Sequence, residues 1–146
     1  SVSNGLKALE SSDSGDVVLI HDGARPFITS GLIQKMAESA SQYGAAVCAT
    51  PVVDTIKVSE NGEIIDQHPD RSKLWAVQTP QAFQLGVIRN AIHAAHEKGL
   101  KLTDDTAACS LIDQPVRLIH WAFPNPKLTL SEDLPYFEFL ATQSDA

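Results

Sequence analysis

The spacing of hydrophobic positions changes several times along the chain, and each change marks an element. Val17-Val18-Leu19-Ile20 is an unbroken, mostly β-branched apolar run that predicts a short strand buried on both faces, and His21-Asp22-Gly23 stops it with turn composition. Ahead of it, Val2, Leu6 and Leu9 fall on one side of a helix-like pattern over residues 1–9, and residues 11–16 form a polar, Gly-containing loop. Beyond Pro26, Leu32, Ile33, Met36, Ala37, Ala40 and Tyr43 follow the helical period, with Thr29 or Ser30 as the cap and Gly44 as the stop. Residues 45–51 read as a second buried strand. Strand, helix and strand in this order predict a βαβ unit with parallel strands and a right-handed crossover.

The alternation then breaks. Residues 55–67 contain Asn61-Gly62, the strongest two-residue hairpin signal, between Ile56-Lys57-Val58-Ser59 and Ile64-Ile65-Asp66. That turn sets Glu60 opposite Glu63, Lys57 opposite Asp66 and Thr55 opposite His68, with Ile56, Val58 and Ile65 on one apolar face. A two-stranded ribbon does not stand alone, so residues 54–73 are expected to form an arm covered by the same arm of a second subunit. A flap folded back on its own domain is the alternative. Residues 74–77 return to the sheet, and Gln78-Thr79-Pro80-Gln81 is expected to end that strand.

Leu85, Ile88, Ala91, Ile92 and Ala95 line one face of a helix over residues 84–98, terminated by Gly99. His93 and His96 lie on that helix without a third ligand or an HExxH frame, and read as part of its solvated face. Thr103-Asp104-Asp105 opens the next helix with Thr103 as N-cap, and Pro115 blocks its continuation. Residues 116–121 alternate as a strand, Pro124-Asn125-Pro126 is a rigid connection, and residues 127–130 form a last short strand carrying Lys127 beside Thr129. Ser131-Glu132-Asp133 starts a terminal helix through Leu140, beyond which residues 142–146 are expected to fray.

Composition narrows the chemistry. A chain of 146 residues with 43% hydrophobic content buries one sizeable core, which points to one domain or most of one over residues 1–146. Its net charge of −7 argues against a nucleic-acid or anionic-membrane surface, so any anionic ligand must be held by local positive charge. Cys48 and Cys109 form no CxxC and fit reduced thiols in a cytoplasmic protein. No apolar run approaches the roughly 20 residues of a membrane span, and the first residues lack signal-peptide character. The chain opens without an initiator methionine, directly in a helical pattern, and looks cut rather than begun.

The first strand delivers Asp22 and Arg25 to its carboxyl end, the edge at which open α/β sheets hold ligands. An acid and a guanidinium there suit a metal-phosphate site, or a loop salt bridge.

The order of short blocks is more specific than any one of them. His21-Asp22-Gly23-Ala24-Arg25-Pro26, Pro51-Val52-Val53-Asp54-Thr55-Ile56-Lys57, Arg71 with Leu74-Trp75 and Gln78-Thr79-Pro80-Gln81, Thr103-Asp104-Asp105 and Asn125-Pro126-Lys127-Leu128-Thr129 follow one another along the chain. In this order they closely resemble the 2-C-methyl-D-erythritol 4-phosphate cytidylyltransferase family, through nearly the whole length. The resemblance implies a Rossmann-like nucleotidyltransferase α/β fold, a three-layer sandwich truncated at the N-terminus, with a protruding β-hairpin arm that makes a homodimer. It also implies CMP transfer from CTP to a sugar-alcohol phosphate with release of pyrophosphate, dependent on a divalent metal, usually Mg²⁺. Localisation would be cytoplasmic, or plastidic in a plant.

Residue by residue, the resemblance puts Asp22 at the metal, nucleotide and phosphate site. Arg25 and Lys127 would hold the sugar phosphate, Arg71 and Thr55 would reach from the arm into the neighbouring subunit's site, and Arg71 and Lys127 would act in catalysis. Thr79 and Thr103 would be substrate-side hydroxyls, with turn and cap chemistry as their alternative, and Ser1 would lie near the cytosine. The family's N-terminal strand and Gly-rich loop, with an Arg and a Lys that grip the CTP phosphates, have no counterpart in these residues, so the chain alone is expected to be nearly inactive. A ribitol 5-phosphate cytidylyltransferase and a non-catalytic dimerisation or regulatory module are the alternatives.

Overall fold

A computed structural model describes residues 2–100 and 104–144. Its apolar runs form strands β1 (Val17–Ile20), β2 (Ala45–Pro51), β3 (Trp75–Gln84) and β4 (Arg117–His120), and its amphipathic segments form helices α1 (Val2–Ala8), α2 (Ser30–Tyr43), α3 (Leu85–Glu97), α4 (Asp105–Cys109) and α5 (Leu134–Ser144). The sheet order is β1-β3-β2-β4, with β3 antiparallel to both neighbours and β4 parallel to β2. β1 and β2 therefore point the same way, as the strand-helix-strand pattern requires, but β3 lies between them.

Alternation along the strands divides the core into two layers. Ala45 and Phe83, which face one another across β2 and β3, pack with Leu6, Leu85, Ile88, Ala91, Ala108 and Cys109 against α1, α3 and α4. Their neighbours Ala46 and Ala82 point the other way and join Leu32, Met36, Ala40 and Cys48 against α2. Helices cover both faces of a mixed sheet: a three-layer α/β fold. Both ends of α2 are set as its sequence indicates. The Thr29 hydroxyl accepts the Leu32 N–H at 3.2 Å, and Gly44 closes the helix at φ 89°.

Several expectations are corrected. β1 is half-buried rather than buried on both faces, because within this sheet it is an edge strand paired only with β3. β3 does not end at Gln78-Thr79-Pro80-Gln81 but runs through it, with the Thr79-Pro80 peptide cis. Proline is tolerated because the β2–β3 register shifts between Val47 and Ala49, so its missing N–H falls in an interruption of the ladder. Residues 127–130 form no strand. Leu128 N–H donates to the Ala24 carbonyl at 2.8 Å, while Thr129 N–H and Leu130 N–H are taken by the Asp133 carboxylate at 2.9 Å each.

The segment with Asn61-Gly62 also departs from the two-residue hairpin. Val58 pairs with Gln67 in an isolated bridge, and Lys57 Nζ meets His68 Nδ1 at 2.9 Å instead of facing Asp66. The register moves by two residues, so the same faces stay together. Side chains cause the shift: Asn61 Oδ1 accepts the N–H groups of Glu63 and Ile64 at 2.9 and 3.0 Å, and the Asp66 carboxylate accepts Glu60 N–H at 2.7 Å. These bonds wrap the tip into a wider loop in place of ladder pairs.

Asp104, not Thr103, caps α4, its carboxylate accepting Ala107 N–H at 2.8 Å; Thr103 lies outside the described residues. α5 extends to Ser144, and residues 145–146 of the expected frayed end lie outside the described residues. His93 and His96 are exposed on α3, the solvated face expected of them.

Candidate active site

β1 ends where the chain turns sharply through Asp22. The Asp22 carboxylate accepts Ala24 N–H at 3.1 Å and its carbonyl accepts Arg25 N–H at 2.9 Å, a local turn that fixes where both side chains point. Asp22 N–H donates to Thr79 Oγ1 at 3.0 Å, and His21 Nδ1 lies 3.1 Å from the same hydroxyl. The other imidazole nitrogen, Nε2, is 2.9 Å from the Arg25 carbonyl, which only accepts, so Nε2 carries a proton and Nδ1 is free to accept from Thr79. His21 thus ties the β1 end, β3 and the Arg25 turn together.

Lys127 completes the site from far along the chain. Its Nζ is 2.8 Å from Asp22 Oδ2, with side-chain exposures of 49% and 27%. The Lys127 ammonium, helped by the Ala24 N–H, holds the Asp22 carboxyl below its usual range, so the group is ionised at neutral pH. Arg25 Nη1 donates to the Asn125 carbonyl at 2.6 Å, and the Asn125 amide in turn donates to Gln78 Oε1 at 3.1 Å and to the Thr79 carbonyl at 2.8 Å.

Four of the residues singled out from the sequence, Asp22, Arg25, Thr79 and Lys127, thus meet in one connected cluster at the carboxyl end of β1. Arg71 and Thr55 do not join it within the chain. Arg71 Nη1 donates to the Val53 carbonyl at 2.6 Å in a 3₁₀ turn, Arg71–Lys73, whose N-cap is Asp70, and among the described residues no hydrogen bond or ion pair links Arg71 or Thr55 to the cluster. Ser1 and Thr103 lie outside the described residues.

Sequence reasoning missed three connecting groups: His21, Gln78 and Asn125. The signal for Asn125 was a polar residue between two prolines, a place where a rigid loop presents one amide to whatever lies beneath it.

A divalent metal finds one carboxylate here, Asp22, and among the described residues no group of three or more His, Cys, Asp and Glu side chains could hold an ion. One carboxylate suffices for a divalent ion that takes its other ligands from phosphate oxygens and water. Among the described residues no helix is long and apolar enough to cross a membrane.

A family model described as 2-C-methyl-D-erythritol 4-phosphate cytidylyltransferase matches residues 1–143. A protein of that name from Geobacillus thermodenitrificans is 47% identical over 138 residues, covering 94% of this chain and 59% of its own length. One from Syntrophotalea carbinolica is 45% identical over 146 residues, covering 99% and 62%. The crystal structure of the Thermus thermophilus enzyme of the same name superposes with a TM-score of 0.83 at 37% identity, covering 97% of this chain and 68% of that one. A 4-diphosphocytidyl-2C-methyl-D-erythritol synthase from Anaerococcus prevotii gives 0.85 at 30% identity, covering 97% and 63%. This chain therefore spans about three fifths of the length of the curated relatives it matches, and it belongs to the 2-C-methyl-D-erythritol 4-phosphate cytidylyltransferase family.

Proposed function

We propose that the protein transfers CMP from CTP to 2-C-methyl-D-erythritol 4-phosphate, releases pyrophosphate, and acts as a cytoplasmic homodimer in isoprenoid biosynthesis. The observation that carries this reading is the approach of Lys127 to Asp22, at 2.8 Å, beside Arg25. In a chain of net charge −7, these are local cations at a strand end where an anion would dock.

The reaction brings two anions together, the sugar phosphate and the α-phosphoryl group of CTP. Catalysis then consists mainly of alignment for in-line displacement and of charge neutralisation. In this reading Lys127 leaves Asp22 for the incoming phosphate and Arg25 contributes its guanidinium to the same oxygens, and Asp22 is the residue that would hold the divalent ion. The bound metal would supply charge neutralisation on the triphosphate. Thr79 keeps its place by accepting Asp22 N–H, which favours the turn-stabilising role over direct contact with substrate. Ser1 and Thr103 retain the nucleotide-side and substrate-side roles assigned to them by resemblance.

Arg71 and Thr55 act, in this reading, on the site of the other subunit. The arm exposes Val53, Ile56, Val58, Ile64 and Ile65, an apolar surface suited to a second copy of itself. The test is pyrophosphate release by the complete protein with CTP, Mg²⁺ and either methylerythritol phosphate or ribitol 5-phosphate. Turnover with the first and at least tenfold less with the second is expected. Preference for ribitol phosphate, or no turnover with either, overturns the reading.

A further inference from the structure

We propose that Asn125 is the positioning residue of this site, the group that sets the two cations Arg25 and Lys127 in register with the end of β3. The side chain is buried, at 4% exposure, in a loop that is otherwise on the surface. Both of its Nδ2 hydrogens are used, on Gln78 Oε1 at 3.1 Å and on the Thr79 carbonyl at 2.8 Å. Because both partners face it as acceptors, only an NH₂ group satisfies them, which fixes the orientation of the amide.

The main chain of the same residue does the other half. Its carbonyl accepts Arg25 Nη1 at 2.6 Å, and two residues further on Lys127 reaches Asp22, whose own N–H rests on Thr79. A single residue thus touches β3 with its side chain and Arg25 with its backbone, while Pro124 and Pro126 on either side limit how far the loop can rotate between those anchors.

Its chemistry argues for placement over bulk stability. Asn125 Oδ1 is buried without a partner, so the residue leaves one acceptor uncompensated in the interior. An apolar side chain of similar size would avoid that orphan oxygen, but it could not hold Thr79 and Gln78 at a fixed distance from the Lys127 loop. Cys48 Sγ, 3.8 Å from Gln78 Oε1, packs beneath the same network.

The inference rests on the reading in which Arg25 and Lys127 hold the sugar phosphate, and two measurements on Asn125→Ala and the near-isosteric Asn125→Asp separate them. The first is amide hydrogen exchange at Leu128, whose N–H donates to the Ala24 carbonyl across the loop, with Ala82 and Phe83 of the buried β3 as references. The second is steady-state kinetics of the complete protein with each substrate varied. Protection at Leu128 should fall at least tenfold in both variants with Ala82 and Phe83 unchanged, and the KM for the sugar phosphate should rise about tenfold or more while the KM for CTP stays within about twofold. Unchanged protection at Leu128, or an equal loss at Leu128 and in β3, overturns the inference, the second because it marks a merely structural residue. Selective loss at Leu128 with an unchanged sugar-phosphate KM upholds the positioning of the loop and overturns the assignment of Arg25 and Lys127 to that phosphate.

Discussion

Asp22 and Lys127 form an ion pair whose members the proposed reaction would each hand to another ligand, and that governs how each should respond to substitution and pH. Lys127→Met is expected to cut kcat/KM for the sugar phosphate by about 10²-fold, as loss of a preorganised cation does, and at the same time to bind Mg²⁺ or Mn²⁺ more tightly in the absence of substrates, since the ammonium no longer competes for Asp22; calorimetry on the variant reads the second effect directly. The pH dependence has a definite sign. Asp22 titrates below its ordinary value of 3.8 in the folded chain, so the pair stabilises the fold above that value and loses its contribution as pH falls through the depressed one. Urea midpoints of the wild type and Asp22→Asn should therefore differ near neutrality and converge in acid.

The thiols are placed oppositely. Burial, reinforced by Asp104 and Asp105, pushes Cys109 up to about 11, and burial raises Cys48 as well, so neither should react with a disulfide reagent in the native protein at neutral pH while both react in denaturant. At this scale the convergence of Asp22, Arg25 and Lys127 was legible only through the ordered blocks of the family resemblance, since strand-end position alone left Asp22 and Arg25 open between a ligand site and a loop salt bridge. Asn125 was not, since its value depends on two acceptors that lie nearly fifty positions away along the chain.

Elements governed by backbone ladders were legible, and those governed by side-chain bonds were not. α2 carries its period, its Thr29 cap and its glycine stop in the sequence, α3 its period and its glycine stop, and both appear where expected. Gly44 shows how firmly a stop can be fixed: at φ 89° an added Cβ would sit 2.9 Å from Gln114 Oε1, so Gly44→Ala should lose about 1 kcal/mol or more by urea unfolding. Thr29→Ala at the other end should lose about 1 kcal/mol, the usual worth of an N-cap hydroxyl. The tip near Asn61, the passage of β3 through Pro80 and the stretch at 127–130 misled for one shared reason. In each, a side-chain acceptor or an interrupted ladder replaces the regular pairing that hydrophobic alternation and turn rules assume.

Over the whole molecule, the three layers leave one part of the described chain without a core of its own. The segment that carries Thr55 and Arg71 has a single β-bridge, and Ile64 and Ile65 are 66% and 51% exposed, so in the proposed homodimer this is the surface that the partner's arm would cover. Replacing Ile64 and Ile65 together by Lys should convert the complete protein from dimer to monomer in light scattering while the far-UV spectrum of the α/β core is kept; a double variant that still dimerises would remove the arm from the interface. The sharper question is whose site Arg71 serves. Arg71→Ala and Lys127→Met should each lower turnover of their homodimers by about 10²-fold or more. In a mixed dimer of the two, the subunit that retains Lys127 faces a partner that retains Arg71, so if the arm reaches across the two-fold axis one working site is restored. If Arg71 serves its own subunit, every site in the mixed dimer lacks one of the two cations. Pyrophosphate release well above that of either homodimer is then expected on mixing the two variants, and its absence in a sample shown by mass to contain the mixed species would confine the arm to its own chain.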